Sequence, residues 1–140
     1  MSLYVVDASV AAKWFLDEVH AEAAWRIITP DNEFRAPDFF LLEMDNIFCK
    51  RIRRGDLSTR DASEARVLLR RLPIATFPFG QLQESAYTIA NQTGHSVYDC
   101  LYVALAAELG GRMVTADRRL YEALTAGPLS DHVVWVEDAA

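Results

Sequence analysis

Short apolar runs, rich in β-branched and aromatic residues, alternate along this chain with longer stretches of helical periodicity. The runs are Leu3–Val6, Phe34–Ala36 (a weaker candidate), Ile74–Phe77, Met113–Thr115 and Val133–Val136. Runs of this kind are typical of strands buried in a parallel sheet. Because helical stretches separate them throughout, the chain predicts an α/β fold of three layers, with a central parallel sheet flanked by helices.

The helical stretches are bounded by caps and breakers. The predicted helices cover Val10–Leu16, His20–Ile28, a long helix opened by Pro37–Asp38 and stopped by Gly55, a helix from Ser58 or Thr59 to Pro73, Gln81–Gln92, Ser96 to Gly110, and a last helix around Leu120–Leu124. The helix that starts at Ser96 is the most apolar, so we expect it to be buried on several sides.

Length and composition point to an ordinary globular protein. At roughly 150 residues per domain, the chain of 140 residues predicts a single domain over residues 1–140. Hydrophobic residues make up 51% and charged residues 24% of the chain, as in globular proteins. The sequence has neither a long apolar span nor the basic start of a secretory signal. We therefore expect a cytoplasmic protein that does not enter a membrane.

The cysteines and histidines do not form a recognisable metal-binding pattern. Cys49 and Cys100 both lie within apolar helical patterns, and we expect both in the core. His20, His95 and His132 are scattered, without partners at metal-ligand spacing. A zinc site is therefore not expected, and any metal should be held by oxygen.

Charge is distributed unevenly along the chain. The net charge of −6 argues against a protein that coats nucleic acid indiscriminately. Residues 50–71, however, carry eight basic side chains against three acidic ones. This segment is either a pair of solvated helix faces with ion pairs between successive turns, or a flank that contacts phosphates. In the second interpretation the candidate phosphate-contacting residues are Lys50, Arg51, Arg53 and Arg54.

Four carboxylates stand where packing alone would favour an apolar or neutral side chain. Asp7 directly follows the first predicted strand, and Asp117 follows another after one intervening residue. Asp99 lies in the first turn of the most apolar helix. Glu43 borders the apolar stripe of the long helix and can point inward. The topology therefore predicts that the four carboxylates meet near one edge of the sheet.

Each aspartate also has a local alternative role. Asp7 and Asp117 are suitable helix N-caps, and Ser96 with Asp99 has the spacing of a capping box. Glu43 has no such role, and a carboxylate beside an apolar stripe loses solvation unless something neutralises it. Four carboxylates at one edge would repel one another by on the order of several kcal/mol at an effective dielectric of about 20. A bound divalent cation would relieve that repulsion.

Oxygen ligands select the cation and, with it, the chemistry. They favour Mg²⁺ or Mn²⁺ over zinc or copper, and carboxylate-bound Mg²⁺ usually meets its substrate through phosphate oxygens. The sequence offers no Ser–His pairing and no glycine-rich phosphate loop as a competing constellation. The residues therefore predict phosphodiester hydrolysis, with the further hypothesis that water attacks in line and leaves a 5′-phosphate and a 3′-hydroxyl.

Four motifs in this order resemble the PIN domain, and within it the VapC-type toxins of toxin–antitoxin pairs. They are Val5–Ser9 (VVDAS), Leu42–Ile47 (LEMDNI), Ser96–Ala106 (SVYDCLYVALA) and Val114–Asp117 (VTAD). The resemblance spans essentially the whole chain. It implies a Rossmann-like parallel sheet, RNA cleavage dependent on Mg²⁺ or Mn²⁺, a homodimer, and inhibition by a small cognate VapB-type antitoxin.

The resemblance also assigns roles to residues. Asp7 and Asp99 become the core metal ligands, and Glu43 and Asp117 complete the catalytic site directly or through water. The positions that support these acids by hydrogen bonding in the family correspond here to Ser9, Asn46 and Thr115. One departure is Asp45, where such proteins commonly have a small neutral residue. At about 200° around the helix from Glu43, Asp45 should face away and pair with the basic segment.

Three other functions remain open at this stage. One is a non-catalytic module that pairs with an antitoxin and binds operator DNA. A second is a phosphoacceptor receiver domain, which would need an adjacent acidic pair after the first strand and a lysine after the last, neither of which is present. The third is a structure-selective DNA nuclease with the same metal chemistry.

Overall fold

The structure is a computed structural model that describes residues 2–140, so the first residue of the predicted 1–140 domain lies outside the described residues. The strands are β1 (Ser2–Val6), β2 (Asn32–Pro37), β3 (Ile74–Phe77), β4 (Arg112–Thr115) and β5 (Val133–Trp135). Within the described residues they form one five-stranded sheet in the order β3-β2-β1-β4-β5, with every neighbouring pair parallel. The predicted α/β fold with a central parallel sheet is confirmed.

The helices that flank this sheet occur where helical periodicity predicted them. They are α1 (Ala8–Ala12), α2 (Ala21–Arg26), α3 (Phe40–Arg53), α4 (Thr59–Arg71), α5 (Gln83–Thr93), α6 (Val97–Leu109) and α7 (Arg118–Thr125). Two predicted caps are present, since the Ser58 hydroxyl accepts a hydrogen bond from the Asp61 N–H and the Ser96 hydroxyl accepts one from the Asp99 N–H. Gly55, with φ of 82°, follows the end of α3 in a conformation that glycine adopts without steric cost.

Helix α6 is the central helix of the fold. Its residues Cys100–Ala106 are all buried. It packs against β1, β2 and β4 on the sheet and against α5 beside it. Because neighbours surround the helix on several sides, an almost uniformly apolar sequence is stable there, as predicted.

Several predicted boundaries are wrong. Pro37 is the last residue of β2, paired in register with Phe77, and α3 begins three residues later at Phe40. Proline suits the end of a strand because it has no N–H to donate to the ladder. Helix α1 ends at Ala12, well short of Leu16, and Val136 belongs to a short 3₁₀ turn that follows β5.

Cys49 is exposed, which contradicts the prediction that both cysteines lie in the core, whereas Cys100 is buried as predicted. On α3 the buried residues are Phe40, Met44 and Phe48. Cys49 follows Phe48 by one residue, about 100° around the helix, and so turns toward solvent. Across residues 2–140, none of the helices combines the length and the hydropathy needed to cross a membrane.

Candidate active site

The carboxyl ends of β1 and β4 form the topological switch point of the sheet. From β1 the chain adds β2 and β3 on one side, whereas β4 and β5 lie on the other. In sheets of this kind, ligands bind in the crevice beyond the strand ends at that point. Asp7 directly follows β1, and Asp117 lies two residues beyond Thr115, the last residue of β4. The sheet thus places at one edge two carboxylates that are 110 residues apart in sequence.

Asp7 is buried at the N-terminus of α1, with only 7% of its surface exposed. Its Oδ1 accepts hydrogen bonds from the Val10 N–H at 2.8 Å and from the Ser9 hydroxyl at 2.9 Å. Burial raises the pKa of Asp7 to about 7, and the nearby carboxylates Asp99 and Glu43 add to that rise against the two hydrogen bonds. Near neutral pH this carboxylate therefore carries its charge at a considerable cost.

Glu43 lies in the first turn of α3 and is half-buried. Its carboxylate accepts a hydrogen bond from the hydroxyl of Tyr102, a buried residue of α6. Burial raises the pKa of Glu43, the bond from Tyr102 lowers it, and the charge of Asp99 raises it further. Glu43 therefore points inward, toward α6 and the acids at the sheet edge.

Asp99 lies among the other acids. Burial raises the pKa of Asp99, the Ser96 side chain and the His95 imidazole lower it, and the carboxylate of Asp117 raises it. One ring nitrogen of His95, one carboxylate oxygen of Asp99 and one of Asp117 all lie within 4.8 Å of one another. Asp117 itself is exposed, and its Oδ1 caps α7 by accepting from the Leu120 N–H at 3.2 Å.

The sequence left open whether the aspartates are helix caps or members of one cluster, and Asp7 and Asp117 are both. Asp7 and Asp117 each cap a helix, yet Asp7, Glu43 and Asp117 all interact electrostatically with Asp99. The N-termini of α1, α3 and α7 face the same crevice because these helices follow the carboxyl ends of β1, β2 and β4. Helix α6 follows α5 and reaches the crevice by packing against the sheet. Capping places the carboxylates at the crevice, and packing brings the helices together.

The three predicted supporting residues are placed differently from one another. The Ser9 hydroxyl bonds directly to the Asp7 carboxylate. Thr115 is buried, and its hydroxyl accepts from the backbone N–H of Asp117 at 3.1 Å, which holds the turn that carries that acid. Asn46 is exposed, and within residues 2–140 it makes no side-chain hydrogen bond to any of the four acids.

Asp45 pairs with the basic segment, as predicted. Its two carboxylate oxygens accept from Nε and Nη2 of Arg66 at 2.7 and 3.0 Å, joining α3 to α4. The assignment of Glu43 to the site is therefore not complicated by its acidic neighbour two residues along.

The candidate RNA-binding cations differ in how freely they can meet a phosphate. The Arg51 side chain is only 16% exposed and binds both Glu18 and Asp56, the latter at 3.0 Å. Arg54 lies 3.8 Å from Asp56, while Lys50 and Arg53 are exposed. The guanidinium of Arg51 is thus already engaged within the protein. These side chains also begin about 10 Å along α3 from Glu43.

Two residues near the acids were not identified from the sequence. Along the chain, His95 has no partner at metal-ligand spacing. It lies immediately before Ser96, which caps α6. Tyr102 was assigned no role beyond its motif, although a hydroxyl inside the most apolar helix requires a hydrogen-bond partner when it is buried. That requirement was the available signal for Tyr102.

The residues present fit a divalent cation. Three of the four carboxylates have raised pKa values because burial and mutual repulsion disfavour their charges, a situation that a cation reverses. Carboxylate oxygens are the ligands of hard cations, and the nearby imidazole of His95 adds a ligand accepted by transition metals such as Mn²⁺.

The fold and the site together define the class of this protein. It is a small parallel α/β domain with carboxylates clustered at the switch point of its sheet. The chain belongs to the PIN domain family, whose sequence model matches residues 4–124. It is 33% identical over 123 residues to Ribonuclease VapC3 of Pyrobaculum aerophilum, covering 84% of this chain and 92% of that protein.

Solved structures share the fold. The crystal structure of PAE2754 from Pyrobaculum aerophilum has a TM-score of 0.67 at 22% identity, and the match covers 97% of this chain and 92% of that one. VapBC2 from Rickettsia felis, bound to a DNA fragment from its promoter, has a TM-score of 0.62 at 11% identity over 95% of this chain and 96% of that one. These similarities agree with the predicted PIN-type fold.

Proposed function

We propose that this protein is a VapC-type endoribonuclease that hydrolyses phosphodiester bonds in RNA and is the toxin of a VapBC-type toxin–antitoxin pair. The observation that carries the proposal is the convergence of Asp7, Glu43 and Asp99 at the switch point, with Asp117 beside Asp99. Membership of the PIN domain family and the 33% identity to a protein named as a ribonuclease support it.

In this proposal Asp7, Glu43, Asp99 and Asp117 hold a divalent cation, Mg²⁺ or Mn²⁺. When bound, the cation supplies Lewis-acid chemistry, lowering the pKa of water and offsetting charge on the leaving oxygen. The protein keeps its own carboxylates in place before any ligand arrives. Ser9 and the Val10 N–H hold Asp7, and Tyr102 holds Glu43. Such preorganisation reduces the reorganisation needed during the reaction.

The partners of the protein are part of the same proposal. A small antitoxin would inhibit the nuclease, and the protein would act as a homodimer. Support for the antitoxin comes from the similarity in fold to VapBC2 of Rickettsia felis. Among the four candidate cations, the exposed Lys50 and Arg53 are best able to contact the RNA backbone.

The test is cleavage of total cellular RNA by the purified protein, with fragment ends mapped. We expect cleavage with Mg²⁺ or Mn²⁺, none in excess EDTA, and none by the Asp7→Asn and Asp99→Asn variants. Asp131→Asn, which alters an exposed carboxylate outside the cluster, serves as the control. Single-stranded and duplex DNA are offered in parallel. Cleavage in EDTA would contradict the metal-dependent site, and cleavage of DNA alone would favour the DNA nuclease.

A further inference from the structure

Three aromatic side chains form a partly exposed surface beside the acids, which we call the aromatic ledge: Phe39, Phe79 and Tyr98. Phe39 lies between the other two, with its ring centroid 5.9 Å from each and the ring planes close to perpendicular. Tyr98 is 64% exposed and Phe79 42% exposed. Exposed aromatic rings lose the benefit of burial, so a cluster of them indicates a surface that meets a ligand.

The ledge lies at the same edge of the sheet as the acids. Phe39 comes two residues after the end of β2, and Phe79 two residues after the end of β3. Tyr98 directly precedes Asp99 in the first turn of α6. Because strand spacing is about 4.8 Å, the ends of β2 and β3 lie about 5 and 10 Å from that of β1, which Asp7 follows. A polymer lying along this edge would reach both the acids and the ledge.

Hydrogen bonds hold the loops of the ledge in place. The Asp38 carboxylate accepts from the Phe79 N–H at 3.1 Å, and the Asp38 N–H donates to the Phe77 carbonyl at 2.8 Å. These two bonds tie the loop after β2 to the loop after β3. The ring of Tyr102 packs edge-on against Phe39 at 5.7 Å, so the same residue that binds Glu43 also supports the ledge.

Tyr98 also forms one side of an open cleft of about 620 Å³, which borders the acidic site at Glu43. The other lining residues are Leu42, Asp45, Asn46 and Cys49. None of these lining residues is basic, so the cleft offers no cationic side chain to a phosphate group. A flat, uncharged ring suits the cleft better, since Tyr98 offers an aromatic face and Asn46 an amide that can hydrogen-bond to a base edge.

We propose that the aromatic ledge, through Tyr98, stacks an unpaired base of the RNA next to the scissile phosphate. The proposal rests on the proposed nuclease function and adds how the substrate is held. Stacking on a single ring tolerates any base but requires that the base be unpaired. The ledge would therefore direct the enzyme to single-stranded or loop regions, with Asn46 adding a preference among bases.

The experiment measures RNA affinity and cleavage separately. Affinity for a fluorescent single-stranded RNA is measured with Mg²⁺ in an Asp7→Asn background, which is expected not to cut. Tyr98→Ala should weaken binding roughly five- to hundredfold, whereas Tyr98→Phe should bind like its parent. Tyr87→Ala is the matched control, because Tyr87 is 60% exposed on α5. In the cutting enzyme, most of the loss should appear in KM.

A series of RNAs, each with one abasic position, identifies the contact. Removing the stacked base should weaken the binding of RNA to the Asp7→Asn parent protein. On that abasic RNA, the parent protein and its Tyr98→Ala variant should have the same affinity. Equal affinities of Tyr98→Ala and Tyr87→Ala would overturn the proposal, as would an effect of Tyr98→Ala that persists on every abasic RNA. Failure of the nuclease function looks different: the wild type then cuts no RNA, whether or not binding depends on Tyr98.

Discussion

The hydroxyl of Tyr102 donates a hydrogen bond to the carboxylate of Glu43 and so connects α6 to α3 within the acidic site. Tyr102 follows Asp99 by three residues, which is nearly one turn of α6. One face of α6 therefore carries Asp99 and also binds Glu43 of α3. Tyr102 is 1% exposed and the rings around it limit its movement. The position of Glu43 therefore depends on the packing of α6.

We expect Tyr102→Phe to keep the fold but weaken metal binding and catalysis. The ring still packs against Phe39, but Glu43 loses its donor, which raises the pKa of that carboxyl and frees its side chain. Loss of a hydrogen bond that orients a ligand typically costs roughly ten- to hundredfold in metal affinity. Calorimetric titration with Mn²⁺ measures the loss, with Tyr87→Phe as the control. Unchanged affinity and activity would show that Glu43 does not need the bond.

Glu43 and Asp45 provide a matched pair of acidic substitutions on one helix. Glu43→Gln should reduce RNA cleavage about a hundredfold or more, on the scale of losing one preorganised electrostatic contact. Asp45→Asn should reduce cleavage far less than Glu43→Gln, because the carboxylate of Asp45 pairs with Arg66 of α4. Initial rates under saturating Mg²⁺ compare the two. A larger loss from Asp45→Asn than from Glu43→Gln would transfer the assignment to Asp45.

Asp7 should make the metal-free protein less stable as pH rises from about 4 to about 7. The pKa of Asp7 is about 7 in the folded state against 3.8 for the free side chain, so the folded state binds more protons across that interval. Asp7→Asn removes this dependence while its amide oxygen can still cap α1. The variant should therefore gain stability over wild type by up to roughly 4 kcal/mol at pH 7, and little at pH 4.

Urea unfolding at several pH values, in EDTA, measures the difference. Addition of Mn²⁺ should then stabilise the wild type more than Asp7→Asn, because a ligand that binds only the folded state shifts the unfolding equilibrium. Asp131→Asn, at an exposed position, should follow the wild-type curve. Parallel curves for wild type and Asp7→Asn would mean that burial of this carboxylate does not control stability.

His95 should influence which cation the site prefers. Its ring lies with Asp99 and Asp117, and imidazole favours transition metals over Mg²⁺. His95→Asn should lower Mn²⁺ affinity about tenfold or more, and leave Mg²⁺ affinity within about twofold. Titrations at pH 8 measure both affinities. His20→Asn is the control, because His20 pairs with Glu137. Equal losses for the two cations would assign His95 a structural role.

Substitutions of Arg51 and Arg53 should affect different properties, the first the stability of the protein and the second its binding of RNA. Arg51→Ala breaks partly buried bonds to Glu18 and Asp56, so it should lower the free energy of unfolding by about 1–2 kcal/mol. Arg53→Ala should leave stability unchanged but reduce the salt dependence of RNA binding by about one phosphate contact. Denaturant unfolding and binding at several salt concentrations test the pair. Unaltered RNA binding by both Arg53→Ala and Lys50→Ala would assign this segment to a solvated surface.

Much of the fold was predictable because its signals are local. The sequence predicted β3 with its observed bounds and the caps of α4 and α6, since a strand pattern or a serine cap involves only neighbouring residues. The position of Asp7 and Asp117 at one edge of the sheet was also predictable, although they are distant in sequence. Parallel strands end at a common edge, so the location of an acid that follows a strand can be predicted.

The sequence by itself determined the class of fold, the edge that carries the acids and the resemblance to a nuclease family. Only the tertiary structure decided that Tyr102 binds Glu43, that His95 joins Asp99 and Asp117, and that Arg51 is already paired. Hydrophobic periodicity records which face of each helix is buried, but not how one helix is rotated and displaced against the next. Contacts between helices depend on that rotation and on that displacement, which must be correct to within a few ångströms. The spacing of residues along one chain does not specify either quantity.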